Sequence, residues 1–253
     1  MKKAFIVTSI IDVDNVHPLT YSNTRSIFSD VERFRHTTVT IASLDLASNH
    51  DTTIFLVDAS ENYQQYKDVF RYQENLKFIS VKEEFPDVYN IIRTHPNKSY
   101  CESLILVNFF TKYKTELENY DYFFKMSGRY FIDHHFNTAL FNEENTDKIF
   151  FKNPMKFNWS DTWKYTMVDR RSIQGDDYLY QYSSVLYGFG KIFLDRFLDI
   201  YRVIAVFTGQ SNTMMYDVET LLYYFTRSYE SNIIETDWIV YGWDGTNATF
   251  LRY

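Results

Sequence analysis

The sequence predicts an α/β fold, a mixed sheet flanked by helices. Three observations carry this. Short β-branched or aromatic runs recur at residues 4–11, 53–57, 78–81 and 120–124, each bounded by polar, turn-forming residues. Stretches with apolar residues at helical spacing lie between them. Strands and helices alternate in the first half and become mixed in the second. The chain reads as one domain over residues 1–253, with residues 1–130 suited to a nucleotide and residues 131–253 to a second ligand.

With 253 residues the chain can bury a sizeable core, and aromatics at 19% supply much of it. The surplus of tyrosine also leaves rings near the surface, where sugars or bases stack. A net charge of −7 argues against a general nucleic-acid binder. Cys101 is the single cysteine, so no intrachain disulfide is possible, and a reducing cytoplasm is the expected compartment. Met1-Lys2-Lys3 and the apolar run after it resemble a signal peptide. Asp12 and Asp14 follow at once and no small-residue cleavage site appears, so the run is read as a strand. No stretch approaches the roughly 20 apolar residues needed to span a bilayer.

Residues 4–11 should form a central parallel strand. The loop over residues 12–23 then sits at its C-terminal edge. Ser29 and Glu32 form a capping box that starts a helix, with Val31, Phe34, Thr38, Ile41 and Leu44 on its inner face. Arg33 and Arg35 read as solvated or paired, whereas Arg25 lies in the loop within reach of a ligand. Residues 53–57 form the second strand and end in Asp58, placed either to hold a ribose or base edge or to cap the helix at 62–70. Residues 78–81 are a third strand and 83–97 a loop containing Pro86 and Pro96. Lys98 opens a helix whose inner stripe is Leu106, Phe109, Phe110, Tyr113 and Leu117. A cation at a helix N-terminus is electrostatically odd unless an anion binds there.

The organising stretch is residues 120–130. Three consecutive aromatics, Tyr122-Phe123-Phe124, give way to Lys125-Met126-Ser127-Gly128-Arg129. Two cations around a Ser-Gly turn at a strand's C-terminal edge suit a phosphate or diphosphate. The segment also reads as a strand end with two solvated cations.

Asp133 should cap a short helix through Phe141, and His134 and His135 read as surface residues. Residues 148–151 form a strand. The aromatic, polar stretch 157–171, with Trp159, Trp163 and Tyr165, suits an acceptor-binding lip or a packed excursion. A strand over 180–186, a helix over 191–204, a polar loop over 208–216 and a helix opened by Asp217-Val218-Glu219 follow. A last strand at 233–240 and a turn at 242–245 close the domain.

These motifs, in this order, resemble the small GT-A-type glycosyltransferases that build bacterial and viral surface polysaccharides. The likeness rests on Arg25-Ser26-Ile27-Phe28-Ser29-x-x-Glu32-Arg33-Phe34, on Asn97-Lys98-Ser99-Tyr100-x-Glu102, on the 123–130 segment, and on Val218-Glu219 opening a late helix. It implies a GT-A-like (Rossmann-like) sheet and transfer of a sugar from a nucleotide-sugar donor to a glycan or lipid-linked saccharide, with inversion expected. Donor contacts would come from Ser9, Arg25, Asp58, Lys98, Lys125, Ser127 and Arg129, and acceptor contacts from Trp159, Trp163 and Tyr165. Glu219, Asp217 and Asp133 are the candidate general bases. One departure matters: where such enzymes carry a metal-binding Asp-x-Asp, this chain reads Lys-Met-Ser-Gly-Arg. No metal cofactor is therefore expected, with Lys125 and Arg129 supplying the positive charge. Mn²⁺ or Mg²⁺ on Asp12 and Asp14, or on Asp176 and Asp177, is the alternative. A glycan- or nucleotide-binding module that has lost catalysis is the competing function, and another nucleotide-dependent enzyme, such as a nucleotidyltransferase, a third. No nucleic-acid partner or transmembrane segment is expected, and peripheral membrane contact remains compatible with the sequence.

Overall fold

The computed structural model describes residues 1–253 apart from 20–21, 49, 159–177, 211–216, 246–247 and 253. The parallel half is built from β1 (Lys3–Ser9), β2 (Thr52–Asp58), β3 (Leu76–Ser80) and β4 (Tyr122–Ser127). Between them run α1 (Asp30–Ala47), α2 (Tyr63–Phe70), α3 (Val81–Glu84), α4 (Pro86–Thr94), α5 (Lys98–Lys112) and α6 (Lys114–Leu117). The second half contributes β5 (Tyr130–Ile132), β6 (Ile149–Lys152), β7 (Met155–Asn158), β8 (Tyr178–Gln181) and β9 (Leu186–Gly190). Then come α7 (Leu194–Gly209), α8 (Val218–Thr226), β10 (Ile233–Thr236), β11 (Val240–Trp243) and β12 (Phe250–Arg252).

The main sheet has 7 strands in the order β10-β6-β9-β4-β1-β2-β3. β4, β1, β2 and β3 are parallel, β9 runs antiparallel to both β4 and β6, and β10 is parallel to β6. The sheet is therefore mixed and helix-flanked, as the sequence predicts. Side chains along β1 alternate between two buried layers. Ala4 and Ile6 pack with Leu106 and Phe109 of α5 and Phe197 of α7, while Phe5 and Val7 pack with Ile41 and Leu44 of α1. A small sheet, β12-β11-β5, joins the second layer through Ile132 and Val240. Among the described residues no helix is long and apolar enough to cross a membrane.

Several boundaries differ from the sequence expectation. The first strand ends at Ser9. The expected loop at 83–97 is mostly helix, because Pro86 occupies the first turn of α4, where its missing N–H costs nothing. The expected strand at 233–240 is two strands in different sheets, β10 beside β6 and β11 beside β5. β8 stops at Gln181 and β9 starts at Leu186. No helix follows Asp133: its carboxylate accepts from the His135 N–H at 2.9 Å, and the first helical turn after it, Thr138–Leu140, is capped by Asn137. The Ser29–Glu32 capping box forms as expected, and Phe34, Ile41 and Leu44 of the expected inner face of α1 pack against the core. Val31 and Thr38 are exposed, and Arg33, His36, Thr37 and Thr40 are buried with Ile41 and Leu44.

Candidate functional site

From β1 the chain moves outward to β2 and β3, then returns through α3–α6 to β4 on the other side of β1. The carboxyl ends of β1 and β4 therefore flank a crevice at the point where the strand order reverses, a place where open α/β sheets bind ligands. A cleft of about 170 Å³ lies there, lined by Ser9, Lys98, Glu102, Ser127, Gly128 and Arg129. Arg25 and Arg33 complete its cationic wall. A neighbouring cleft of about 280 Å³, lined by Asp12, Asp14, Glu61, Tyr89 and Arg93, shares Ile10, Val13 and Arg25 with the first.

The turn after β4 is held from two sides. The Gly128 N–H donates to the Thr8 carbonyl at 2.9 Å, and Thr37 Oγ1 donates to the Gly128 carbonyl at 3.1 Å. Ser9 Oγ lies 3.1 Å from Thr37 Oγ1, so β1, α1 and the turn share one hydroxyl relay. Arg129 projects from this turn, and its Nε donates to the Trp243 carbonyl at 3.3 Å. Arg33 is buried; its Nε donates to the Ile10 carbonyl at 2.6 Å and its Nη1 to Ser26 Oγ at 3.0 Å. Arg25 braces the loop against the end of α4, donating to the carbonyls of Ile92 at 3.1 Å and of His95. Burial, then the Arg129 and Arg33 guanidiniums, push the Lys98 ammonium down to about 8. Burial, then Arg129, lowers Arg33 as well. A chain of net charge −7 thus gathers Arg25, Arg33, Lys98 and Arg129 around one cleft, at a mutual electrostatic cost that an anion would relieve.

Lys125 is not presented to the cleft. Its side chain is fully buried, and Nζ donates to Ser127 Oγ at 3.0 Å and the Ser184 carbonyl at 2.6 Å and pairs with Glu102. All three ammonium hydrogens are occupied, because a sheet covered on both faces turns every second side chain of β4 into a packed layer. Asp58 is likewise inaccessible. It accepts from the Ser60 N–H at 2.9 Å, and burial pushes its carboxyl up to about 6. It does not cap α2 either: Asp12 accepts from the N–H groups of Glu61 at 2.6 Å and Asn62 at 2.7 Å.

The three candidate bases separate. Asp217 is the N-cap of α8, accepting from the Thr220 N–H at 2.7 Å and from Gln181 Nε2 at 2.7 Å. Asp133 pairs with His135 and faces a different hollow, beside Val39, Ser43 and Leu46 of α1. Glu219 accepts from the Ser184 hydroxyl, and Ser184 in turn accepts from Lys125 through its carbonyl. Burial and the neighbouring Asp217 carboxylate push Glu219 up to about 7. The N-terminus of α8 abuts that of α5, with the Val218 N–H donating to Ser99 Oγ at 3.2 Å, which brings Glu219 beside the cleft without lining it. Trp159, Trp163, Tyr165, Asp176 and Asp177 lie outside the described residues.

Sequence reasoning assigned no role to Glu102 and left Arg33 on the surface. Glu102 follows Lys98 by four positions, so the two share a helix face, and that spacing was a usable signal. Among the described residues that line the cleft, Glu102 is the one carboxylate, a poor donor set for a divalent cation. The residues after β4 offer a hydroxyl, a glycine and a guanidinium, and Asp12 and Asp14 are engaged by backbone N–H groups and by Arg93. Among the described residues, Asp133, His134 and His135 form a group close enough to share an ion, outside the cleft.

No protein-family pattern and no curated protein matches the chain. Among solved structures it is similar to the galactosyltransferase LgtC in complex with donor and acceptor sugar analogues. The TM-score is 0.50 at 11% identity, over 92% of this chain and 73% of that one. It is also similar to apo mouse xyloside xylosyltransferase 1, with a TM-score of 0.48 at 9% identity, over 92% of this chain and 85% of that one. The architecture, a mixed sheet with flanking helices, is GT-A-like.

Proposed function

We propose that this protein is a glycosyltransferase that takes a sugar from a nucleoside-diphosphate donor and passes it to a saccharide acceptor. The observation that carries this reading is the cationic cleft at the strand-order reversal, with Lys98, Arg129 and Arg33 converging on it from α5, the β4 turn and α1. A diphosphate there meets charge-assisted donors without a metal, and the same donors stabilise the leaving group as its bond to the sugar breaks. The adjoining cleft, with Tyr89 and carboxylates beside apolar Ile10, Val13 and Ile92, takes the nucleoside. The likeness to a galactosyltransferase bound to donor and acceptor analogues supports the same class of chemistry.

Glu219 is the base in this reading. A carboxyl held near 7 is matched to proton abstraction at neutral pH, and it enters from the half of the chain that follows the donor site. The acceptor hydroxyl attacks as Glu219 takes its proton, and the anomeric configuration inverts. Cytoplasmic synthesis of surface glycans is the setting this activity fits. Incubating the protein with a panel of nucleotide sugars tests the reading. Release of nucleoside diphosphate is expected, whereas release of pyrophosphate, or binding without turnover, would replace it with a nucleotidyltransferase or a binding module.

A further inference from the structure

Glu102 is the one carboxylate among the described residues that line the cationic cleft. It projects from α5 one turn after Lys98, roughly 6 Å further along the axis. Its bonds are lopsided. Thr8 Oγ1 donates to Oε1 at 3.0 Å, and Lys125 pairs with the same oxygen. Oε2 has no hydrogen-bond partner among the described residues, and the side chain keeps 22% of its surface exposed. An anionic oxygen open to a pocket built for anions is a poor neighbour for phosphate and a good acceptor for hydroxyl groups. One turn of helix is also the separation between a phosphate and the ring hydroxyls of the sugar attached to it.

We propose that Glu102 Oε2 accepts hydrogen bonds from ring hydroxyls of the transferred sugar and so selects the donor by hydroxyl position. Lys125, buried beneath, is the positioning residue that fixes the carboxylate with one oxygen outward. This inference rests on the transferase reading above.

Calorimetry on the full chain tests it, with UDP, GDP, their glucose, galactose and mannose conjugates, and the matching deoxy sugars as probes. In Glu102→Gln, nucleoside diphosphate affinity should stay within about twofold while the preferred conjugate weakens about tenfold or more. The loss should vanish for the conjugate lacking the recognised hydroxyl, since the two changes remove the same bond. Should the lone Lys125 charge unfold that variant, Glu102→Gln with Lys125→Met removes both charges, and the same pattern is expected. Equal losses for diphosphate and conjugate, or none for either, overturn the sugar contact and leave the transferase reading standing. Failure of every probe to bind the unaltered protein overturns both.

Discussion

Thr37 Oγ1 and the Gly128 carbonyl, 3.1 Å apart, join the first long helix to the turn that carries Arg129, one of the cleft cations. The polar residues that α1 buries each find a partner: Thr37 in this bond, Arg33 on the Ile10 carbonyl, Thr40 on the His36 carbonyl, and His36 stacked on Trp243. Gly128 leaves little space here. A Cβ on it would sit 3.1 Å from Ser9 Cβ and 3.1 Å from the Thr8 carbonyl oxygen, both on a central strand. Gly128→Ala should therefore destabilise the protein by about 1–3 kcal/mol in urea unfolding and weaken nucleoside diphosphate binding as the turn shifts. Unchanged stability and affinity would mean that the turn has slack the geometry does not reveal.

Arg129→Ala should keep the fold and cost nucleoside diphosphate affinity about tenfold or more, because a charge-assisted bond in a cleft is lost. Lys98→Ala should behave alike. Excess chelator should leave transfer intact. Activity that chelator abolishes and Mn²⁺ restores would show a cation doing the work assigned to these side chains.

Glu219→Gln should hold donor affinity and lose turnover by about 10²–10⁴-fold. The rate should rise with pH through about 7, as Glu219 loses its proton, and level off above. That inflection should be missing from the residual activity of the variant. Full turnover in Glu219→Gln with a dead Asp133→Asn or Asp217→Asn would move the base.

Asp58 gives a prediction on stability. Its carboxyl is held at about 6 by burial, against roughly 4 in an unfolded chain. Between those values the native state binds the proton more tightly. The cost of the buried charge is absent below about pH 4, grows as pH rises and is complete above about 6, where it reaches up to about 3 kcal/mol. The stability difference between the unaltered protein and Asp58→Asn, followed from pH 4 to 8, should show that loss. A flat difference would mean that Ser60 and Arg33 already compensate the charge.

What the sequence disclosed follows the range of the forces involved. The Ser29–Glu32 capping box is a local motif and forms as read, and β2 and β4 announce themselves as apolar runs. Lys125 and Arg129 were legible as cations near a strand end, but their division of labour was not. Which one faces the cleft depends on the pleat of β4 and on Ser184 and Glu102, distant in sequence. Arg33 was misjudged for the same reason, since its partner is the Ile10 carbonyl across the crevice. The residues at 233–240 look like one strand until β6 and β5 compete for them.

The brace on Arg129 has a temporal consequence. Trp243 holds its guanidinium by a backbone carbonyl, Gly242 pairs with Tyr130 in the neighbouring strands, and the Gly245 carbonyl accepts from the Ile27 N–H at 3.2 Å. Strands β1 to β4 and α5 are all synthesised before that support exists. Arg129 then waits for more than a hundred further residues before its support is made. The brace on Arg129 is complete only once residues 240–245 have been made.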